Sequence, residues 1–127
     1  MPWLVSDARV LAAAEVAGDR RARRRGLLGR DGLEGAIVLR PARWVHTVGM
    51  RFAIDVAYLD DDGLVVKTVQ MARHRIGAPV LRATWVIEAA AGAFERWRLE
   101  VGDVVELRTA DDDPGSPPHA GTDRAGE

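Results

Sequence analysis

Apolar and polar positions alternate most cleanly where Ile54, Val56 and Tyr58 interleave with Asp55, Ala57 and Leu59. A period of two is the signature of a strand that sends successive side chains to opposite faces. Asp60-Asp61-Asp62-Gly63 then supplies a turn, and Leu64 to Val69 is rich in β-branched residues, so 53–70 is expected to be a hairpin. Trp3-Leu4-Val5, the turn-forming Ser6-Asp7-Ala8-Arg9 and the apolar run Val10 to Ala17 predict an earlier hairpin. The alanines of that run suit a helix equally well by propensity, and the extended reading is taken.

The remaining pattern adds shorter pieces. Asp19 is placed to cap a helix running to about Leu28, with Arg23, Arg24 and Arg25 in its last turns where cations complement the helix dipole. Gly26, Gly29, Gly32 and Gly35 then terminate it in turns. Ala36-Ile37-Val38-Leu39 reads as a buried strand stopping before Pro41. Pro79 falls in a loop-like stretch, Trp85-Val86-Ile87 predicts a strand ending in Ala89-Ala90-Ala91-Gly92, and Phe94 to Leu99 a short helix with Trp97 facing inward. Gly102-Asp103 turns into a last strand, Val104 to Leu107. The expected fold is α+β: a mostly antiparallel, barrel-like sheet in one domain over residues 1–108, with one or two short helices. Beyond it, residues 109–127 lose apolar bulk to Asp, Pro, Gly and Ser, which predicts a disordered acidic tail.

Length agrees with a single domain, since 127 residues leave no room for two ordinary ones. The chain has no cysteine, which removes disulfides, thiolate nucleophiles and cysteine-based zinc sites. Only His46, His74 and His119 remain as imidazole ligands, so no metal or other cofactor is expected. The formal net charge of −1 is uneven: residues 109–127 hold five acids and one arginine, leaving 17 basic and 14 acidic residues in 1–108. A surplus of three is too weak to demand a polyanionic partner. No stretch approaches the roughly 20 apolar residues of a membrane helix, and the N-terminus lacks a basic start with a long apolar run, so a cytoplasmic location is expected.

Candidate chemistry concentrates in Trp44-Val45-His46-Thr47-Val48-Gly49-Met50-Arg51-Phe52-Ala53-Ile54-Asp55, where an imidazole, a hydroxyl, a guanidinium and a carboxylate fall close together. Asp55 shares its strand face with Ala57 and Leu59, and a buried carboxylate requires hydrogen bonds or a cation. It is therefore expected to bond within residues 44–52, to backbone amides, the Thr47 hydroxyl or His46, or to pair with Arg51. The functional reading is a His46–Asp55 acid/base or ligand-anchoring pair; the plainer reading is an Asp that accepts backbone N–H bonds and holds the His46–Met50 loop.

Other motifs carry less. Asp60-Asp61-Asp62-Gly63 lacks the alternating acids, sixth-position glycine and twelfth-position glutamate of a calcium loop. Arg20-Arg21-Ala22-Arg23-Arg24-Arg25 could contact phosphates, but no aromatic interrupts it to stack on bases, and a solvated helix face explains it. His74 between Arg73 and Arg75 forms a second basic knot that could face an anion. Trp3, Trp44, Trp85 and Trp97 read as packing residues. Ser6 and Ser116 lie near chain ends that look mobile, so no Ser-His-Asp arrangement is argued.

The segment His46-Thr47-Val48-Gly49-Met50-Arg51-Phe52-Ala53-Ile54-Asp55-Val56-Ala57-Tyr58-Leu59-Asp60, followed by Asp62-Gly63-Leu64-Val65-Val66, resembles the core motif of domain-of-unknown-function family 192. Arg25-Gly26-Leu27-Leu28-Gly29-Arg30, Val86-Ile87-Glu88-Ala89-Ala90-Ala91-Gly92 and Val101-Gly102-Asp103-Val104-Val105 match its flanking pieces in order, covering about residues 8–108. Ala53 stands where the family commonly has proline, and Val48 where it commonly has an aromatic. The resemblance implies a compact, mostly β fold with one or two short helices, and brings no established activity, substrate or cofactor.

Three readings follow. The first is a non-enzymatic binding or accessory module, with His46, Thr47, Met50, Arg51 and Asp55 around a polar pocket for a small anionic or peptide-like ligand or another protein. The second is a small hydrolase using Asp55 and His46. The third is a weak RNA or DNA binder working through Arg20–Arg25; neither nucleic acid nor membrane is the expected partner.

Overall fold

The computed structural model describes residues 2–18 and 32–109. The helix expected from Asp19, the Arg20–Arg25 run and the tail beyond Thr109 lie outside the described residues. Those residues form seven strands and one helix: β1 (Trp3–Ser6), β2 (Arg9–Ala17), β3 (Ala36–Leu39), β4 (Ile54–Leu59), β5 (Val65–Met71), β6 (Trp85–Ala90), α1 (Ala93–Trp97) and β7 (Glu106–Arg108). The sheet order is β5-β4-β6-β3-β2-β1-β7. Every pairing is antiparallel except β2 with β3. That parallel pair was not expected from the sequence; the long connection through residues 18–35 lets the chain return in the same direction.

Local chemistry explains the hairpins. Asp7 and Ala8 both adopt positive φ, 51° and 61°, the mirror-image two-residue turn that matches strand twist. At the β4–β5 turn, Asp60 Oδ1 accepts hydrogen bonds from the backbone N–H of Asp62 and Leu64, which makes this a side-chain-stapled turn. Trp85 donates its indole N–H to the Asp60 carbonyl at 2.9 Å, tying β6 to the same turn.

The sheet does not close into a barrel, but its two ends meet at one corner. Leu64 bridges Val104, the Val105 N–H donates to Gly63 O at 2.8 Å, and the Val65 N–H donates to Asp103 O at 2.8 Å. Gly63 makes this approach possible: its φ is 84°, and a Cβ there would run into the Val105 carbonyl. Gly63→Ala is expected to cost roughly 1–2 kcal/mol from the left-handed backbone alone, read as a lowered denaturation midpoint; an unchanged midpoint would show that the corner is loosely held.

Strand β4 is buried along its whole length, so its alternation serves two cores instead of one core and solvent. Ala57 and Leu59 join Leu4, Val38, Val65, Trp85, Ile87 and Phe94 on the face that carries α1. Ile54, Val56 and Tyr58 join Ile37, Val45, Met50, Met71 and Val86 on the other. An irregular antiparallel ribbon of residues 42–47 and 75–84 covers this second face. It is laced by Gly77 N–H to Val45 O, Val80 N–H to Arg43 O, Ala42 N–H to Thr84 O, and Trp44 Nε1–H to Gly77 O.

The sequence reading departs from the structure at particular places. The strand from Trp85 ends at Ala90, within the expected Ala89–Gly92 stretch, but the last strand starts two residues later than expected because Val104 is spent on the bridge to Leu64. Ser6 is not in a mobile end: it is buried in β1, and its hydroxyl donates to Val104 O at 2.8 Å.

Candidate functional site

Asp55 turns toward α1. Its Oδ2 accepts the backbone N–H of Gly92 and of Phe94, each at 3.0 Å, and its Oδ1 accepts Gln70 Nε2–H at 3.1 Å. A five-residue helix cannot hold itself together, and Gly92 at its N-cap has no side chain to offer. Asp55 provides the cap from a different element, satisfying amides the helix start would otherwise orphan. This corrects the expectation that Asp55 bonds within residues 44–52. The carboxylate does hold backbone N–H groups, but those of the 92–94 segment.

His46 belongs to the ribbon on the opposite face of β4. Its Nδ1 accepts the Val48 N–H at 3.3 Å, its ring lies 5.3 Å from that of Trp44, and its backbone bridges Ile76. The two residues are not brought together, so the acid/base pair read from the sequence does not form. Met50 is buried in the core beneath the ribbon, and Arg51 is exposed beside it.

Thr47 organises the surface that remains. It is wholly buried, and its hydroxyl donates to Ala72 O at 2.6 Å while accepting the Arg75 N–H at 2.8 Å. Its backbone N–H donates to Arg75 O and its carbonyl accepts the N–H of His74 and of Met50. One threonine thus clamps the 46–51 loop to the 72–75 turn. His74 sits at φ 60°, a rare conformation for a residue with a side chain, and its Nδ1 accepts the Gly49 N–H at 3.2 Å. The sequence treated the two basic stretches separately; no local pattern signals that Thr47 joins them.

The electrostatic consequence is a concentration of arginines on these two segments. Residues 41–51 supply Arg43 and Arg51, residues 72–84 supply Arg73, Arg75 and Arg82, and neither stretch contains an acid. Val48, Ile76 and Leu81 are 50%, 70% and 81% exposed on the same two segments. Next to them, a groove of about 330 Å³ runs between β5 and residues 75–78, with Tyr58, Val69 and Met71 inside and Lys67 and Arg75 at its rim.

Two other features lie apart from this surface. A wider cleft of about 620 Å³ lies between β2, residues 33–35 and α1, with Glu34 and Arg96 as its charged lining. Glu88 is fully buried on β6, opposite Ile37 and Val56, and is engaged within the interior. The sequence reading missed it, although a lone Glu inside Trp85–Ala91 was a legible signal. No cluster of His, Asp or Glu suited to a metal occurs among the described residues, and none of their helices is long and apolar enough to cross a membrane.

The family model DUF192, described as "Uncharacterized ACR", matches residues 4–107. The chain belongs to the DUF192 family. A UPF0127 protein of Pyrococcus abyssi is 37% identical over 65 residues, which span 51% of this chain and 56% of that protein. Only about half of either chain is therefore aligned. A Novosphingobium aromaticivorans protein of unknown function superposes with a TM-score of 0.67 at 18% identity, over 83% of this chain and 82% of its own. A Sinorhizobium meliloti protein named "putative transcription regulator" superposes with a TM-score of 0.68 at 20% identity, over 84% of this chain and 91% of its own. At those identities the likeness shows the fold alone.

Proposed function

We propose that this DUF192 protein is a non-enzymatic binding module whose ribbon receives an acidic, peptide-like ligand or segment of another protein. The observation carrying this reading is the Thr47 clamp, which gathers cationic side chains from two distant stretches onto one surface with no acid among them. Guanidinium groups held near one another repel, and an incoming carboxylate relieves that repulsion while gaining charge-assisted hydrogen bonds. The exposed Val48, Ile76 and Leu81 add apolar contact, so the surface suits a ligand that is acidic without being uniformly charged.

Titration with an oligoglutamate peptide tests this reading. Binding should weaken steeply between low and physiological salt, because exposed ionic contacts are screened within about 8–10 Å. The double variant Arg73→Glu, Arg75→Glu should lose at least about tenfold in affinity, as like charges now face each other. Unchanged affinity in that variant would contradict the proposed site. Stronger binding of random oligonucleotides than of oligoglutamate at physiological salt would contradict the proposed ligand class.

A further inference from the structure

Strand β5 ends the sheet, pairing with β4 alone among the named strands. Its outer edge is covered at the start, where the Gly102 N–H donates to Val65 O and the Val65 N–H donates to Asp103 O. That cover stops there: among the described residues, no backbone hydrogen bond joins residues 66–71 to any neighbour except β4. The remaining edge is about 20 Å long at roughly 3.3 Å per residue. An uncovered edge of this length is a template for another strand.

The surroundings narrow what that strand can be. Lys67 stands exposed on β5, and a lysine on an edge discourages pairing with a second copy of the same strand. The same lysine favours an acidic partner. Tyr58 lies directly opposite Lys67 in the register, so both side chains belong to the face that carries the 330 Å³ groove. Val69 and Met71 follow on that face, and Arg75 closes the rim. The groove is thus an apolar slot edged by two cations, adjoining backbone that has no partner but β4 among the described residues.

We infer that β5 is the docking strand: an extended acidic peptide pairs along residues 66–71 and seats an apolar side chain in the Tyr58–Val69–Met71 groove, flanked by its own carboxylates on Lys67 and Arg75. Main-chain bonds supply the pairing and the groove supplies the selectivity, as in other recognition by strand addition. This rests on the acidic-ligand reading above and adds the mode of binding to it.

The test uses the full chain, ¹⁵N-labelled, with the probe acetyl-Glu-Leu-Glu-Val-Glu-amide and the same peptide N-methylated at alternate residues. The expected result is amide shifts and slowed hydrogen exchange across residues 66–71, lost with the N-methylated peptide. Lys67→Glu, checked for an unchanged far-ultraviolet spectrum, should weaken binding about tenfold. If the N-methylated peptide binds as tightly, or the shifts stay within residues 46–51 and 72–77, strand addition is overturned while the acidic-ligand reading stands. If neither peptide nor oligoglutamate binds, both fail.

Discussion

Asp55→Ala should destabilise this protein by roughly 3–5 kcal/mol, the larger of two expected losses. The carboxylate is buried and accepts three hydrogen bonds, from Gln70, Gly92 and Phe94. Removing it strands two backbone N–H groups at the start of a helix too short to persist alone, and each unsatisfied buried donor costs about 1–3 kcal/mol. Asp55→Asn should cost less, about 1–3 kcal/mol, because one amide oxygen can still accept from both N–H groups without the strengthening that charge provides. His46→Ala should cost little, since His46 does not touch Asp55. Urea denaturation of the three variants decides. Equal losses for His46→Ala and Asp55→Ala would mean that the two residues act together after all.

Thr47→Val ranks second, at roughly 2–4 kcal/mol. Valine has nearly the same shape, so the core beneath is not emptied. It cannot donate to Ala72 O or accept from the Arg75 N–H, and both part-buried backbone groups then lose that partner. The loss should be local as well as global, with hydrogen exchange at Arg75 and His74 accelerating more than exchange in β4 or β6. Uniform acceleration throughout the sheet would show that Thr47 supports the fold generally and does not clamp the two loops.

Most of the sheet was legible because its causes are local. The alternation in Ile54–Leu59, the Asp60–Gly63 turn and the Asp7-Ala8 turn each specify backbone geometry within a few residues. The parallel β2–β3 pair was not, since parallel pairing depends on a long connection and leaves no mark in either strand. Burial of Asp55 on the Ala57–Leu59 face was legible from strand period, whereas its partners were not. Gly92 and Phe94 are 37 and 39 residues away, and nothing near Asp55 announces them. The basic stretches around His46 and His74 were visible one at a time; their union depends on the Thr47 hydroxyl crossing 25 to 28 residues.

A map of ¹⁵N amide shifts with added oligoglutamate, for the native chain and for Thr47→Val, bears most directly on whether the clamp builds the binding surface. In the native chain the shifts should appear together on residues 46–51 and 72–77, alongside those of residues 66–71 on β5, and diminish with salt. In Thr47→Val, still folded by its far-ultraviolet spectrum, affinity should drop and the two segments should respond separately. Undiminished binding by Thr47→Val, with the same joint pattern, would contradict a surface assembled by Thr47.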